Sequence, residues 1–303
     1  MKLWDYFFAA RPLLQLPIWT VYLISLHYHH KLSRESFGSL DLLIMIGISL
    51  VFTGAAYLNQ VYDFETDQIN RKVGFLQSGL LSPSRLSAGC IILTVLPLAL
   101  APLVSLLTLF VFAQFVLLAL IYSMPPVRLK DRPIGGLFAN AYSHGFLVSV
   151  AVMPHMTLHN SGLLGWDNPL YFFFAVGAVF SLTTIPDRAG DAATGKRTVA
   201  VVLGRDGALA IALILFSLAG YTAWRSGYQL LFVLALGALL LSLASLVWRN
   251  DASVRFAAKM PLLGLTLAAG YLYPVYLLFV VALLIGTRAY YRRRFGVVYP
   301  ELA

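Results

Sequence analysis

Asn59, Asp63 and Asp67 recur at four-residue intervals, and Asp187 and Asp191 repeat the interval once. On a helix, four-residue spacing keeps side chains on one face, so Asn59, Asp63 and Asp67 form a stripe about 12 Å long. Each cluster closes a long apolar stretch, where a carboxylate costs roughly 3 kcal/mol on insertion scales. Acids placed there mark a site. Converging carboxylate and amide oxygens suit Mg²⁺, which in turn suits a phosphorylated substrate. The ordinary alternative is a solvated helix end with loop acids. The second acidic pair weighs against it, because two facing clusters can bind two or three Mg²⁺ ions across a diphosphate and stabilise it as a leaving group. Glu65 falls off the stripe and reads as solvated or paired with a base.

The elements that must position these residues are membrane helices. Of 303 residues, 59% are hydrophobic and 12% charged, with a mean hydropathy of +0.79. A soluble chain carries about twice that charge. The apolar runs have helical length, about 20 residues, and lack the alternation of a β-barrel strand. Arg11 and Pro12 interrupt the start, so no cleavable signal peptide is expected. Cys90 is the single cysteine, which excludes an intrachain disulfide. The net charge of +9 is accounted for by the Lys and Arg that membrane topology requires in short loops. No basic run interleaved with aromatics points to nucleic acid.

Nine spans are expected, at 12–28, 40–60, 86–103, 105–123, 134–153, 169–186, 207–224, 229–248 and 261–286. The last would be kinked at Pro274. No loop holds a soluble domain, so residues 1–303 read as one membrane domain. With the N-terminus in the cytoplasm, most Lys and Arg fall inside. The exceptions are Lys31, Arg34, Arg225, Arg288 and Arg292–Arg294. Spans two, four and six all end on one side. Both acidic clusters and the segment Tyr122-Ser-Met-Pro-Pro-Val-Arg128-Leu-Lys130 therefore share one membrane face.

Cations cluster beside the acids. Arg71, Lys72, Arg128 and Lys130 follow spans two and four, and Lys196 and Arg197 follow the second acidic pair. They read either as topology determinants or as groups that grip a diphosphate together with metal. Gly190–Thr198 nearly spells a P-loop, but it follows a membrane helix and Arg197 stands where Ser or Thr is required. His27, His29 and His30 lie at the opposite helix end, where a metal site is not expected, and His144 reads as a satisfied interior residue.

NQVYDFETD followed by DRAGDAATGKRTVAVVLG resembles the UbiA superfamily of intramembrane prenyltransferases, with its N-x-x-x-D-x-x-x-D and D-x-x-x-D motifs after helices two and six. YSMPPVRLK is similar to that family's Y-x-x-K-type loop, with wider spacing. The resemblance spans roughly residues 1–300. It implies an all-α membrane bundle of nine helices around a central cavity, arranged like soluble terpene synthases. It also implies that Asn59, Asp63, Asp67, Asp187 and Asp191 hold a Mg²⁺–diphosphate unit covered by Tyr122 and Lys130. The implied reaction moves an isoprenyl group from its diphosphate to a lipophilic acceptor in the bilayer, through an allylic cation. One segment departs from the pattern. Where many members read N-K-P-x-R-P-I-P-S-G, this chain has Asn70-Arg-Lys-Val-Gly-Phe-Leu-Gln-Ser78-Gly79, so Arg71 or Lys72 would have to replace the usual arginine. The competing class is a transporter of cations or phosphorylated lipids, which also places acids in membranes.

Overall fold

The structure is a computed structural model that describes residues 3–33, 37–69, 74–153 and 163–300. Every regular element among these residues is helical. The chain starts with α1 (Leu3–Ala9), bends by 44° around Arg11, and enters a short 3₁₀ turn (Pro12–Gln15) that leads into α2 (Leu16–Ser33). Arg11 adopts a left-handed conformation (φ 51°) just ahead of Pro12, which breaks the helix there. Then follow α3 (Ser39–Tyr62), α4 (Phe64–Ile69), α5 (Pro83–Leu100) and α6 (Leu106–Ser123). α7 (Pro133–Asn140) continues through a π-helical stretch, Ala141–Leu147, into α8 (Val148–Val150). The remaining helices are α9 (Asp167–Thr183), α10 (Arg188–Ala193), α11 (Val199–Arg225), α12 (Gln229–Trp248), α13 (Asp251–Leu272) and α14 (Pro274–Phe295).

Six of these helices are long and apolar enough to cross a bilayer, and the bent α1–α2 pair makes a seventh if it counts as one span. Their outward faces carry large exposed apolar side chains such as Phe110, Ile214 and Leu278. In water such surface would be unfavourable; against lipid it is the expected solvent face. The chain is a multi-pass helical membrane protein.

The expected last span, 261–286, is two helices. Pro274 has no N–H to donate and restricts the residue before it. Tyr273 leaves the helical region (φ −131°, ψ 82°), α13 ends at Leu272 and α14 starts anew at Pro274. α14 runs back along the bundle. Tyr276 bonds Thr20 and the Leu16 carbonyl, Phe279 packs on Trp19, and Tyr290 stacks on Phe8. Arg292–Arg294 thus return to the end that holds α1, where Arg294 pairs with buried Asp5. Of the described Lys and Arg residues, only Lys31 and Arg225 lie at the other end.

Among the described glycines, Gly145 makes the tightest approach to the backbone of a neighbouring helix. A Cβ on Gly145 would lie 2.3 Å from the backbone oxygen of Phe172 in α9. At Gly264 the comparable clash is with the tip of the Leu234 side chain, at 2.7 Å. A side-chain tip can rotate away, and Ala gains about 1 kcal/mol of helix propensity over Gly; a backbone atom cannot rotate away. G145A is therefore expected to cost about 1–3 kcal/mol, lowering the melting temperature in detergent. G264A should melt at or near the wild-type temperature.

Candidate active site

α3 delivers the first acidic cluster. Its last regular turn carries Asn59, and Asp63 caps it: the Asp63 N–H donates to the Asn59 carbonyl at 2.9 Å. The Asp67 N–H donates to the Asp63 carbonyl at 2.8 Å, so α4 continues the same helical path across a one-residue break. The four-residue stripe survives the break, and Asp67 is buried.

The loop after α6 folds back over this cluster. Arg128 takes a left-handed conformation (φ 40°) and starts the 3₁₀ turn Leu129–Asp131, a strained geometry typical of functional loops. The turn drives Lys130 inward. Its Nζ lies 2.7 Å from Asn59 Oδ1 and 2.5 Å from Asp63 Oδ1, with the side chain 7% exposed. Burial pushes the Lys130 ammonium down from its ordinary range, and the Asp63 carboxylate draws it back up. Arg128 reaches Asp63 at 3.3 Å and Asp131 at 2.8 Å.

The second cluster stands on the far side of that loop. Asp187 caps α10, and its carbonyl accepts the Asp191 N–H at 2.9 Å. Lys196 approaches Asp191 at 3.8 Å. The Arg197 N–H donates to the Asp131 carbonyl at 3.0 Å, which ties the segment after α10 to the 128–131 turn. The Tyr122 hydroxyl is within electrostatic range of Asp63, Asp131 and Asp191 and accepts from Asn140 Nδ2 at 3.2 Å. The structure thus brings Asn59, Asp63, Asp67, Tyr122, Arg128 and Lys130 together, with Asp187, Asp191, Lys196 and Arg197 across the turn. Arg71 and Lys72 lie outside the described residues.

Among the described residues, no three Asp, Glu, His or Cys side chains gather closely enough to hold an ion unaided. That suits Mg²⁺, which is usually bound by one or two carboxylates with substrate phosphates and waters completing the shell. A cation also fits: Asn59 Oδ1 and Asp63 Oδ1 already converge on one ammonium.

Beneath the clusters lie two cavities. One, of about 220 Å³, runs from Asn59, Tyr122 and Ser123 past Phe52 and Phe115 to Ser143 and His144. The other, of about 280 Å³, is bounded by residues including Thr20, Phe172, Phe180 and Leu262. Leu14, Asn140 and His144 belong to both walls. His144 was expected to be a satisfied interior residue, and its Nδ1 does lie 2.8 Å from Ser143 Oγ in the interior; it also borders both cavities. The four-residue spacing of Asn140 and His144 was the available signal, hidden because neither residue is charged.

Residues 16–265 match the model of the UbiA prenyltransferase family. The chain belongs to that family. Among its relatives is the digeranylgeranylglyceryl phosphate synthase of Sulfurisphaera tokodaii, 25% identical over 207 residues, or 64% of this chain and 70% of the relative. A probable chloroplastic homogentisate phytyltransferase 2 of Oryza sativa is 28% identical over 170 residues, 52% of this chain and 44% of that longer protein. Among solved structures, a UbiA homologue from Archaeoglobus fulgidus bound to DMAPP and Mg²⁺ superposes with a TM-score of 0.68. It is 18% identical, over 88% of this chain and 98% of that one. The apo UbiA homologue of Aeropyrum pernix gives 0.64, at 18% identity over 89% and 97%. These likenesses establish the fold; α14 lies beyond the family-matched residues.

The Lys130–Asp63 pair is testable by itself. D63A strands a buried ammonium and should cost about 3–5 kcal/mol, whereas K130M leaves Asp63 with Arg128 and should cost less. The double variant D63A/K130M should be more stable than the sum of the singles by about 0.5–3 kcal/mol, as read from denaturation in detergent.

Proposed function

We propose that this UbiA-family prenyltransferase carries out Mg²⁺-dependent transfer of an isoprenyl group from its diphosphate to a lipophilic acceptor within the bilayer. The observation that carries this is the Lys130 ammonium held between Asn59 and Asp63 at the mouth of an apolar cavity. It is a cation position defined by oxygen donors, directly above space for a hydrocarbon chain. The two cavities together fall in the range of about 300–1,000 Å³ usual for small-molecule sites.

In this reading Asn59, Asp63 and Asp67 hold one ion and Asp187 and Asp191 another. Bound Mg²⁺ supplies Lewis-acid stabilisation of the departing diphosphate. Arg128, Lys130 and Lys196 turn from carboxylates to phosphate oxygens and Arg197 joins them, making charge-assisted hydrogen bonds that strengthen as the leaving group gains charge. Arg71 or Lys72 adds to that set. The donor's C1–O bond breaks with its electron pair going to the diphosphate. Aromatic faces such as Phe52 and Phe115 line the path of the allylic cation, and the acceptor attacks it. The acids sit at one end of the bundle rather than at its middle, which favours surface-fed chemistry over the midplane site of a transporter.

A single domain of 1–303 and a cytoplasmic-facing site in the cell membrane complete the proposal. The described Lys and Arg residues, save Lys31 and Arg225, cluster at the end that holds the acids, as the positive-inside rule requires of a cytoplasmic face. The named relatives differ in acceptor, so family membership leaves that partner open.

Purified protein given Mg²⁺ and geranyl diphosphate should release diphosphate. D63A and D191A should each lower that rate by about a hundredfold or more, near 2.7 kcal/mol of transition-state stabilisation. Full activity in either variant, or full activity with EDTA, would sink the assignment.

A further inference from the structure

We propose that Phe52 sets the length of the isoprenyl group this protein takes, admitting a tail of two isoprene units and discriminating against longer ones. The proposal rests on the isoprenyl-transfer reading above and names the donor that the site selects.

The measure is built into α3. Phe52 lies seven residues before Asn59 on that helix, two turns and about 10 Å down its axis. Seven residues bring a side chain back to nearly the same face, and both residues line the same cavity. Phe52 therefore stands under the amide that marks the mouth. An isoprene unit adds four bonds along the chain. An extended chain advances about 1.2 Å per bond, so one unit spans about 5 Å and two span about 10 Å. A tail that starts at the level of Asn59 meets the Phe52 ring at the end of its second unit.

The lining changes character over that distance. Beside the mouth, the helices offer small side chains to the shaft: Ala55 and Ala56 on α3, Ala119 on α6 and Ala139 on α7, together with Leu14 and Leu118. At the deep end, the last lining residues are Ile18 on α2, Phe52 on α3, Phe115 on α6 and His144 in the π-helical stretch. The rings close on one another. Phe52 meets Phe115 edge-on at 5.1 Å and His144 at 4.8 Å. One turn further on lie Tyr22, Ile48 and Val111, each at most 1% exposed and all in one core cluster. The floor is backed by packed side chains. Phe115 is buried in that floor, whereas Phe52 keeps part of its surface open to the cavity, so Phe52 is the ring the tail touches.

A longer tail has two ways on, and both are obstructed. It can displace the Phe52 ring, whose rotation Phe115 and His144 oppose, or it can pass Leu14, Asn140 and His144, which stand between this cavity and the larger one. Either route forces a close-packed interior to give way. Ala55 marks the level of the first unit, four residues and about 6 Å below Asn59. Its methyl group leaves the shaft open there; a phenyl ring would close it.

The test uses the full chain in lipid nanodiscs with Mg²⁺ and dimethylallyl, geranyl, farnesyl or geranylgeranyl diphosphate. The readout is kcat/KM for diphosphate release. The wild type should favour the geranyl over the geranylgeranyl donor by about tenfold or more, with farnesyl between. F52A and F52L should shift that ratio toward the longer donors by about tenfold. A55F should shift preference the other way, from geranyl to dimethylallyl, by a similar factor. Opposite shifts from two positions on one helix separate a ruler from a general loss of activity. The proposal is overturned if the wild type uses the geranylgeranyl donor within about threefold of the geranyl donor, or if neither Phe52 variant raises the longer-donor ratio by about threefold. It is equally overturned if A55F does not raise the dimethylallyl-to-geranyl ratio. Absence of Mg²⁺-dependent release from every donor in the wild type would instead sink the isoprenyl-transfer reading.

Discussion

A buried ammonium between two side-chain oxygens organises the mouth of this bundle. Asn59 and Asp63 would be expensive at the edge of a hydrocarbon cavity without a cation, and Lys130 supplies one. The left-handed Arg128 makes this geometrically possible by turning the chain sharply enough to send Lys130 inward while its own guanidinium spans Asp63 and Asp131. The Asp131 carbonyl then takes the Arg197 N–H. One loop therefore joins the ends of α3, α6 and α10. A charge entering at Asp63 acts on the same loop that reaches the second acidic cluster.

The C-terminal helix supports the entrance from outside the family-matched region. Phe75, in the segment that departs from the family's usual pattern, is buried against Tyr290, Tyr291 and Phe295 of α14. Tyr290 also stacks on Phe8 of α1 at 3.9 Å. Prolines that would stiffen this segment are absent from the chain. Here aromatic packing against an additional helix restrains residues 75 and 76, so a local sequence constraint is replaced by a tertiary one. The same return of α14 accounts for Arg292–Arg294. With nine spans they violated the expected charge bias; beside Asp5 they join it.

Much of the site was legible because the signal was charge in an uncharged chain. The interval from Asn59 to Asp67 and from Asp187 to Asp191 survives in the structure even though Asp63 ends one helix and Asp67 belongs to another. Helix parity placed Lys130 at the same end as the acidic clusters, and in the structure it lies against Asn59 and Asp63. Its pairing was not legible, because a loop's direction depends on a single backbone conformation at Arg128 that no periodicity encodes. Pro274 announced a break, but whether a break is a kink or a reversal depends on packing, and Tyr276 decides it through Thr20 and Leu16. That His144, an interior residue as expected, also borders the cavities was not legible for a related reason: a neutral side chain in an apolar run looks the same whether it faces another helix or empty space.

Charge is segregated along the axis of the bundle, and the chemistry follows from that. Every described cation and carboxylate near the site sits at the mouth, while the cavity walls below are neutral and largely aromatic or aliphatic. Separating a diphosphate from a carbocation is favourable only where fixed charges receive the anion, so the proposed ionisation belongs at the mouth. Below it, no Lys, Arg, Asp or Glu is among the described residues that line the cavities, and in the proposed reaction π faces would stabilise the cation without bonding to it. In the proposed reaction, cavity walls that carry no Lys, Arg, Asp or Glu among the described residues would shield the reactive carbon and limit what approaches it.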